Sequence, residues 1–452
     1  MARENWSNKL IYISTVAGAT IGFGATWRFP YLVGENGGGA YLFVFFIAMI
    51  VLGIPMLIAE HLIGRRLHTN VVDSFSGKGL DHKISKWWKG VGIIAILGAF
   101  GILAYYMVLG GWVMSYIGGI SMGEIDLSTP LSAEVAKSFF ETSTSNPWKM
   151  IIYTFIFVAV NYYILVKGII DGIERVIRWV MPLFLVLVFA LMIRALFLPG
   201  AMEGVKFYII PDFSKINSQV ILTALGQVFF ALSIGFGVMV TLSSYLNKKE
   251  NIVSISVSAG IINTLIPLAI GFIIFPALFS AGIAPTSGPS LVFQALPAVF
   301  STIPFGAFFA VLFFLLLLLA ALTTSLTIYE VAITTLIEKF NMKRPVATFI
   351  TLATIFVLGN VPSILAESVW SNVTIFGMNI FDAFDYISAN ILFIGTSLLS
   401  AIFIGFVLKM KVSLDEITNG GTVNTKIAPI LFYHIKFVIP ALILIIFGFS
   451  FI

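Results

Sequence analysis

The 452-residue chain has no cysteine, which excludes disulfides, thiolate metal sites and thiol nucleophiles together. Charge is nearly as scarce: Asp, Glu, Lys and Arg supply 10% of the residues, whereas 59% are hydrophobic. That balance lies outside the range of soluble globular domains and marks an integral membrane protein. Only four histidines occur, His61, His68, His82 and His434, with no metal-ligand spacing among them. There is no nucleophile elbow and no phosphate loop either, so an enzyme is not expected. The first apolar run is too long and too rich in glycine for a signal peptide, and it is expected to stay in the protein. The formal charge of +5 needs no nucleic-acid partner, because it follows from the placement of basic residues described next.

What is abundant is long apolar sequence. About eleven runs of roughly 20 residues or more predict an all-α membrane protein. They cover 10–33, 39–63, 89–117, 148–165, 176–196, 220–245, 252–281, 305–337, 346–365, 381–407 and 427–452. An odd number of spans puts the termini on opposite sides. Loops sharing the N-terminal side hold Arg65, Arg66, Lys78, Lys83, Lys86, Lys89, Lys167, Arg175, Arg178, Lys248, Lys249, Lys339, Lys343, Arg344, Lys409 and Lys411. The other side is poor in basic residues and has no charge between Gly282 and Pro304. The N-terminus is therefore expected in the cytoplasm and the C-terminus outside, across a plasma membrane and, by expectation, a prokaryotic inner membrane.

Two of these spans carry the same interruption. Ile21-Gly22-Phe23-Gly24 in the first recurs as Ile234-Gly235-Phe236-Gly237 in the sixth. Glycine lets a backbone leave the helix, and peptide groups freed at mid-membrane must be satisfied by protein or by a lined cavity. Paired breaks in the two halves of a chain point to a transporter's substrate site. Half-helix N-termini favour a carboxylate and half-helix C-termini an ammonium, so the polarity suits a zwitterionic amino acid. A channel would need a continuous polar lining, yet the polar groups here cluster at one depth. Arg28, one turn past the first break, is either a functional intramembrane charge or a snorkelling one. Tyr106 and the hydroxyl cluster Thr323-Thr324-Ser325 can each be read as ordinary packing with local hydrogen bonds, or as ligands.

The run Gly22-Phe23-Gly24-Ala25-Thr26-Trp27-Arg28-Phe29-Pro30-Tyr31, with Glu35-Asn36-Gly37-Gly38-Gly39-Ala40-Tyr41, resembles the first-helix signature of the neurotransmitter:sodium symporter family. Gly226 to Phe230 and Ser233 to Gly237 resemble its sixth helix, and Asp382 and Asp385 extend the likeness to the tenth. The resemblance implies two inverted five-helix repeats, 1–195 and 196–408, with helices one and six broken and an accessory eleventh helix over 409–452. It implies a sodium ion held by the carbonyls of Gly18, Ile21 and Ala320 and the hydroxyls of Thr323 and Thr324. Tyr106 and the N–H groups around Phe23 and Gly24 would take a substrate carboxylate. Ser233 and the carbonyls of Thr20, Phe230 and Ala231 would take its amine, and Ile102, Phe230, Phe236, Thr324 and Ile328 would wall an apolar pocket. Glycine at position 22, where amine carriers have aspartate, implies that the substrate brings its own carboxylate. The outer gate would pair Arg28 with Asp385. The inner gate would use Arg3, Trp6, Ser244, Tyr245 and Glu338. Glu60 matches a glutamate that accepts bonds from the unwound first helix, a structural role.

The sequence departs from the family at two further sites. A second sodium would need side-chain oxygens where Ala25 and Ala231 stand, so one sodium is expected, Asn263 notwithstanding. Phe45 and Pro267 replace the hydroxyls that would hold chloride beside Gln227, so chloride is not expected. The expected activity is sodium-coupled uptake of a neutral, aliphatic amino acid by alternating access. The alternative is a sodium-independent exchanger or ligand sensor on the same fold.

Overall fold

The structure, a computed structural model, describes residues 5–285, 291–423 and 426–449. Among the described residues ten helices are long and apolar enough to cross a membrane: α1 Lys9–Glu35, α2 Gly39–Leu67, α3 Lys86–Ser121, α4 Pro147–Leu165, α5 Ile169–Leu196, α7 Ile252–Ser280, α8 Gly306–Phe340, α9 Arg344–Ala366, α10 Ile380–Val407 and α11 Ala428–Gly448. Between α5 and α7 lies α6 in two pieces, α6a Ser218–Ala231 and α6b Val238–Ser243. Counting that interrupted helix, the eleven expected spans are all present.

Burial sorts the helices into a centre and a rim. In α1, 78% of the most apolar window is buried inside the protein, against 33% in α5 and in α11. The outer helices instead expose Trp179, Val186, Phe189 and Ile430, side chains suited to lipid. The centre is built where α1 and α3 pack on α8 and where α6b packs on α2. Polar N-caps start several of the helices: Asn8 accepts from Ile11 N–H at 2.9 Å, and Asn251 accepts from Ser254 N–H at 3.0 Å. The short helix expected at 133–140 runs over Ala133–Ser145. The segment between α7 and α8 contains a turn at Leu291–Ala295 and a helix at Leu296–Ser301, too short to span.

Candidate functional site

Both glycine-rich stretches break their helices. In α1 the backbone leaves helical geometry at Gly22, where φ is −25° and ψ −154°, and re-enters through a wide turn over Gly24–Arg28. The N–H of Gly22 donates to Thr324 Oγ1 at 3.0 Å and that of Phe23 to the Tyr106 hydroxyl at 3.2 Å. A β-carbon at Gly22 would lie 2.6 Å from Thr324 Oγ1 and would overlap the Tyr106 hydroxyl. Gly22→Ala is therefore expected to displace both groups and to lower uptake about a hundredfold, the penalty for an ångström-scale misplacement, as measured by initial rates in proteoliposomes.

The second break separates α6a from α6b, and within it Ser233 and Gly235 take positive φ, 51° and 84°. Ser233 Oγ donates to the Ala19 carbonyl at 2.9 Å, tying one break to the other. Gly235 N–H donates to Glu60 Oε1 at 2.7 Å. Glu60 was expected to serve the first break. It serves the sixth helix instead, because the left-handed turn at Gly235 directs that N–H toward α2.

Ten of the eleven expected substrate residues line one cavity between the breaks: Thr20, Phe23, Gly24, Ile102, Tyr106, Phe230, Ser233, Phe236, Thr324 and Ile328, joined by Ala19 and Gly22. Ala231 lies behind Gly24 and does not face it. The cavity holds about 10 Å³, room for one water molecule. One turn toward the N-terminus, Thr323 Oγ1 donates to the carbonyls of Gly18 and Ala320 at 3.0 Å each, and Thr324 Oγ1 donates to Gly18 at 2.8 Å. Ile21, the remaining expected ligand, is buried immediately before the break. Carbonyl and hydroxyl oxygens at a half-helix C-terminal end are the donor set a hard monovalent cation needs.

The departures are equally visible. Ala25 and Ala231 are buried methyl groups. Asn263 Nδ2 donates to Thr20 Oγ1, which itself donates to the carbonyls of Val16 and Ala17, and Asn263 Oδ1 has no partner. Gln227 Nε2 donates to the Gly24 carbonyl at 2.8 Å, Phe45 packs on Phe29, and Pro267 sits inside α7.

A sequence profile described as the sodium:neurotransmitter symporter family matches residues 3–124 and 131–452. The chain belongs to the sodium:neurotransmitter symporter family. The chain is 56% identical to an uncharacterized sodium-dependent transporter of Haemophilus influenzae, over 98% of its own length and 97% of that one. It is 36% identical to the uncharacterized sodium-dependent transporter YhdH of Bacillus subtilis, over 98% and 96% of the two chains. MhsT, solved in complex with L-phenylalanine, superposes with a TM-score of 0.89 at 34% identity, covering 99% of this chain and all of its own. The protein is thus a multi-pass, sodium-dependent transporter and not an enzyme.

The direct pair expected for an outer gate is not formed. Asp385 accepts from the Tyr105 hydroxyl at 2.6 Å, and the Arg28 guanidinium lies 4.5 Å from the centre of the Phe230 ring. Among the described residues no ion pair joins Arg28 to Asp385; each is held by an aromatic side chain instead, and Phe230 is also a wall of the cavity. Above it opens a vestibule of about 220 Å³ lined in part by Arg28, Thr223, Phe230 and Asn390.

Among the residues expected to form an inner gate, Trp6 N–H donates to the Tyr245 carbonyl at 3.3 Å and its indole N–H to the Leu242 carbonyl at 3.0 Å. Ser244 Oγ donates to the Thr241 carbonyl, and the Ser244 carbonyl faces His68 Nδ1 at 2.9 Å. Glu338 accepts from Asn70 N–H at 2.7 Å and from Thr69 Oγ1 at 3.2 Å. Arg3 lies outside the described residues. Beside this cluster, burial pushes the Asp73 carboxyl up, but the Lys89 ammonium at 2.6 Å and the Asn70 amide outweigh it and hold it below the usual range. Sequence reasoning missed Glu330, which accepts from Tyr245 at 3.1 Å and forms a two-point contact with Arg344 at 3.0 and 2.6 Å. Its signal was a lone carboxylate deep inside the apolar run of α8.

Proposed function

We propose that this protein takes up a neutral, aliphatic amino acid by alternating access, driven by one sodium ion per cycle. The observation that carries the reading is the meeting of two breaks. Peptide N–H groups and Tyr106 face the cavity from one side, and the hydroxyls of Thr323 and Thr324 converge on Gly18 one turn away. The first set is suited to a carboxylate and the second to a small cation. The carbonyls beside Ser233 would receive the ammonium. Basic residues concentrated on one side support a cytoplasmic N-terminus and an external C-terminus in an inner membrane. Chloride has no hydroxyl pair to hold it.

Uptake of labelled amino acids into proteoliposomes under an inward sodium gradient, with potassium as control, tests the reading. The expected result is sodium-dependent accumulation that rises hyperbolically with sodium, as one ion requires. A sigmoidal dependence with a Hill coefficient near two overturns the single ion. Exchange that proceeds equally in potassium overturns the symport and favours the exchanger that Ala25 and Ala231 make thinkable. Because MhsT was solved with L-phenylalanine, aromatic amino acids belong in the same screen.

A further inference from the structure

We propose that Phe393, a residue of α10 that lines no wall of the cavity, fixes how long a substrate side chain the cavity accepts and so restricts the transporter to small neutral amino acids. This rests on the amino-acid reading above. A cavity with room for one water must widen to admit any amino acid, so the question is which wall can give. The polar end is tied by the bonds of Gly22 and Phe23 to Thr324 and Tyr106. Ile102 and Ile328 stand on α3 and α8, two unbroken helices packed along each other. Phe236 alone among the apolar walls is carried by the unwound stretch between α6a and α6b, where backbone can shift.

Its retreat is blocked. The Phe393 ring stacks behind that of Phe236, with centroids 3.4 Å apart and planes 20° from parallel. Phe393 is itself 1% exposed and is wedged against α3 at Gly98, where an added β-carbon would lie 2.7 Å from Phe393 Cε1. On its backbone side, a β-carbon at Gly235 would lie 2.8 Å from Phe393 Cα. The ring's position also depends on the wide turn Ile387–Leu392 immediately before it. Without that turn's extra residue, the following side chains would point about 100° away around the helix. A lengthening substrate side chain therefore pushes Phe236 onto Phe393, and Phe393 onto the backbone of α3. In the other direction Phe236 meets Phe230 edge-on at 6.3 Å, and Phe230 carries Arg28, so a displaced Phe236 would also disturb the outer gate.

The test uses the full-length protein in proteoliposomes and compares sodium-driven uptake of alanine, valine, leucine and phenylalanine. Wild type is expected to favour alanine and valine. Phe393→Ala is expected to raise kcat/KM for leucine and phenylalanine relative to alanine about tenfold or more, the scale of a few methylenes in an apolar pocket, with sodium dependence unchanged. Phe393→Leu is expected to lie between, and it carries the test if the alanine variant does not fold. Wild type that prefers phenylalanine, or ratios in both variants within about twofold of wild type, overturns the wedge while leaving amino-acid transport standing. Wild type that moves none of the four overturns the amino-acid reading, and the wedge with it.

Discussion

Thr323→Val combined with Thr324→Val is expected to abolish sodium-driven uptake at physiological sodium, raising the half-saturating concentration about a hundredfold or more. Carbonyl and hydroxyl oxygens are what a hard cation exchanges for its hydration shell, and the double variant removes two of the five expected ligands at once. Valine keeps the branched shape in the tightly packed contact between α1 and α8. The protein also loses four neutral hydrogen bonds, to Gly18 twice, to Ala320 once and from the Gly22 N–H once. Each contributes about 0.5–1.5 kcal/mol, so the fold survives with reduced stability. Sodium-dependent thermal stabilisation separates the two effects: wild type gains stability on adding sodium and the variant does not. An unchanged sodium midpoint would place the ion elsewhere.

The largest effect on stability is expected at Glu330. Its side chain is fully buried, Arg344 is one-fifth exposed, and the pair is bridged at 2.6 Å, with Thr334 and Tyr245 donating to the same carboxylate and Arg344 Nε donating to the Leu165 carbonyl. Removing one member of a buried pair leaves the other charge desolvated, whereas replacing both with apolar residues is often neutral. Glu330→Met alone or Arg344→Met alone is therefore expected to cost about 3 kcal/mol. The double replacement Glu330→Met with Arg344→Met is expected to cost less than either single change. Unfolding in detergent across the four-member cycle measures it, and a double variant as unstable as the sum of the singles would show the pair to be uncoupled. Because Tyr245 is bonded to this carboxylate, the same variants are expected to loosen the inner gate.

The breaks at Gly22 and Gly235 and the clustering of Tyr106, Phe230, Ser233 and Thr324 were legible in the sequence. They depend on local motifs: a glycine that cannot be replaced, and side chains at fixed offsets from it. The partners of Arg28, Asp385 and Glu60 were not. Each has several candidate partners of suitable chemistry, and the choice is made by how helices distant in sequence come to rest. Tyr105 takes Asp385 and the ring of Phe230 takes Arg28, although opposite charge favoured a direct pair. Glu60 reaches the α6 break rather than the α1 break for the same reason. Phe393 gave no sign of its position, because its register is set by the wide turn before it, and such turns leave no pattern in an apolar run.

The two buried methyls at positions 25 and 231 bear on thermodynamics beyond ligation. If one sodium crosses with each neutral solute, a tenfold sodium gradient contributes about 1.4 kcal/mol and a 100 mV membrane potential about 2.3 kcal/mol. Together they sustain an inside-to-outside ratio of about 500, whereas two ions would sustain more than about 10⁵. A carrier of this kind scavenges less deeply from dilute surroundings but spends less ion-motive force per molecule, which suits a cell bathed in nutrient rather than starved of it.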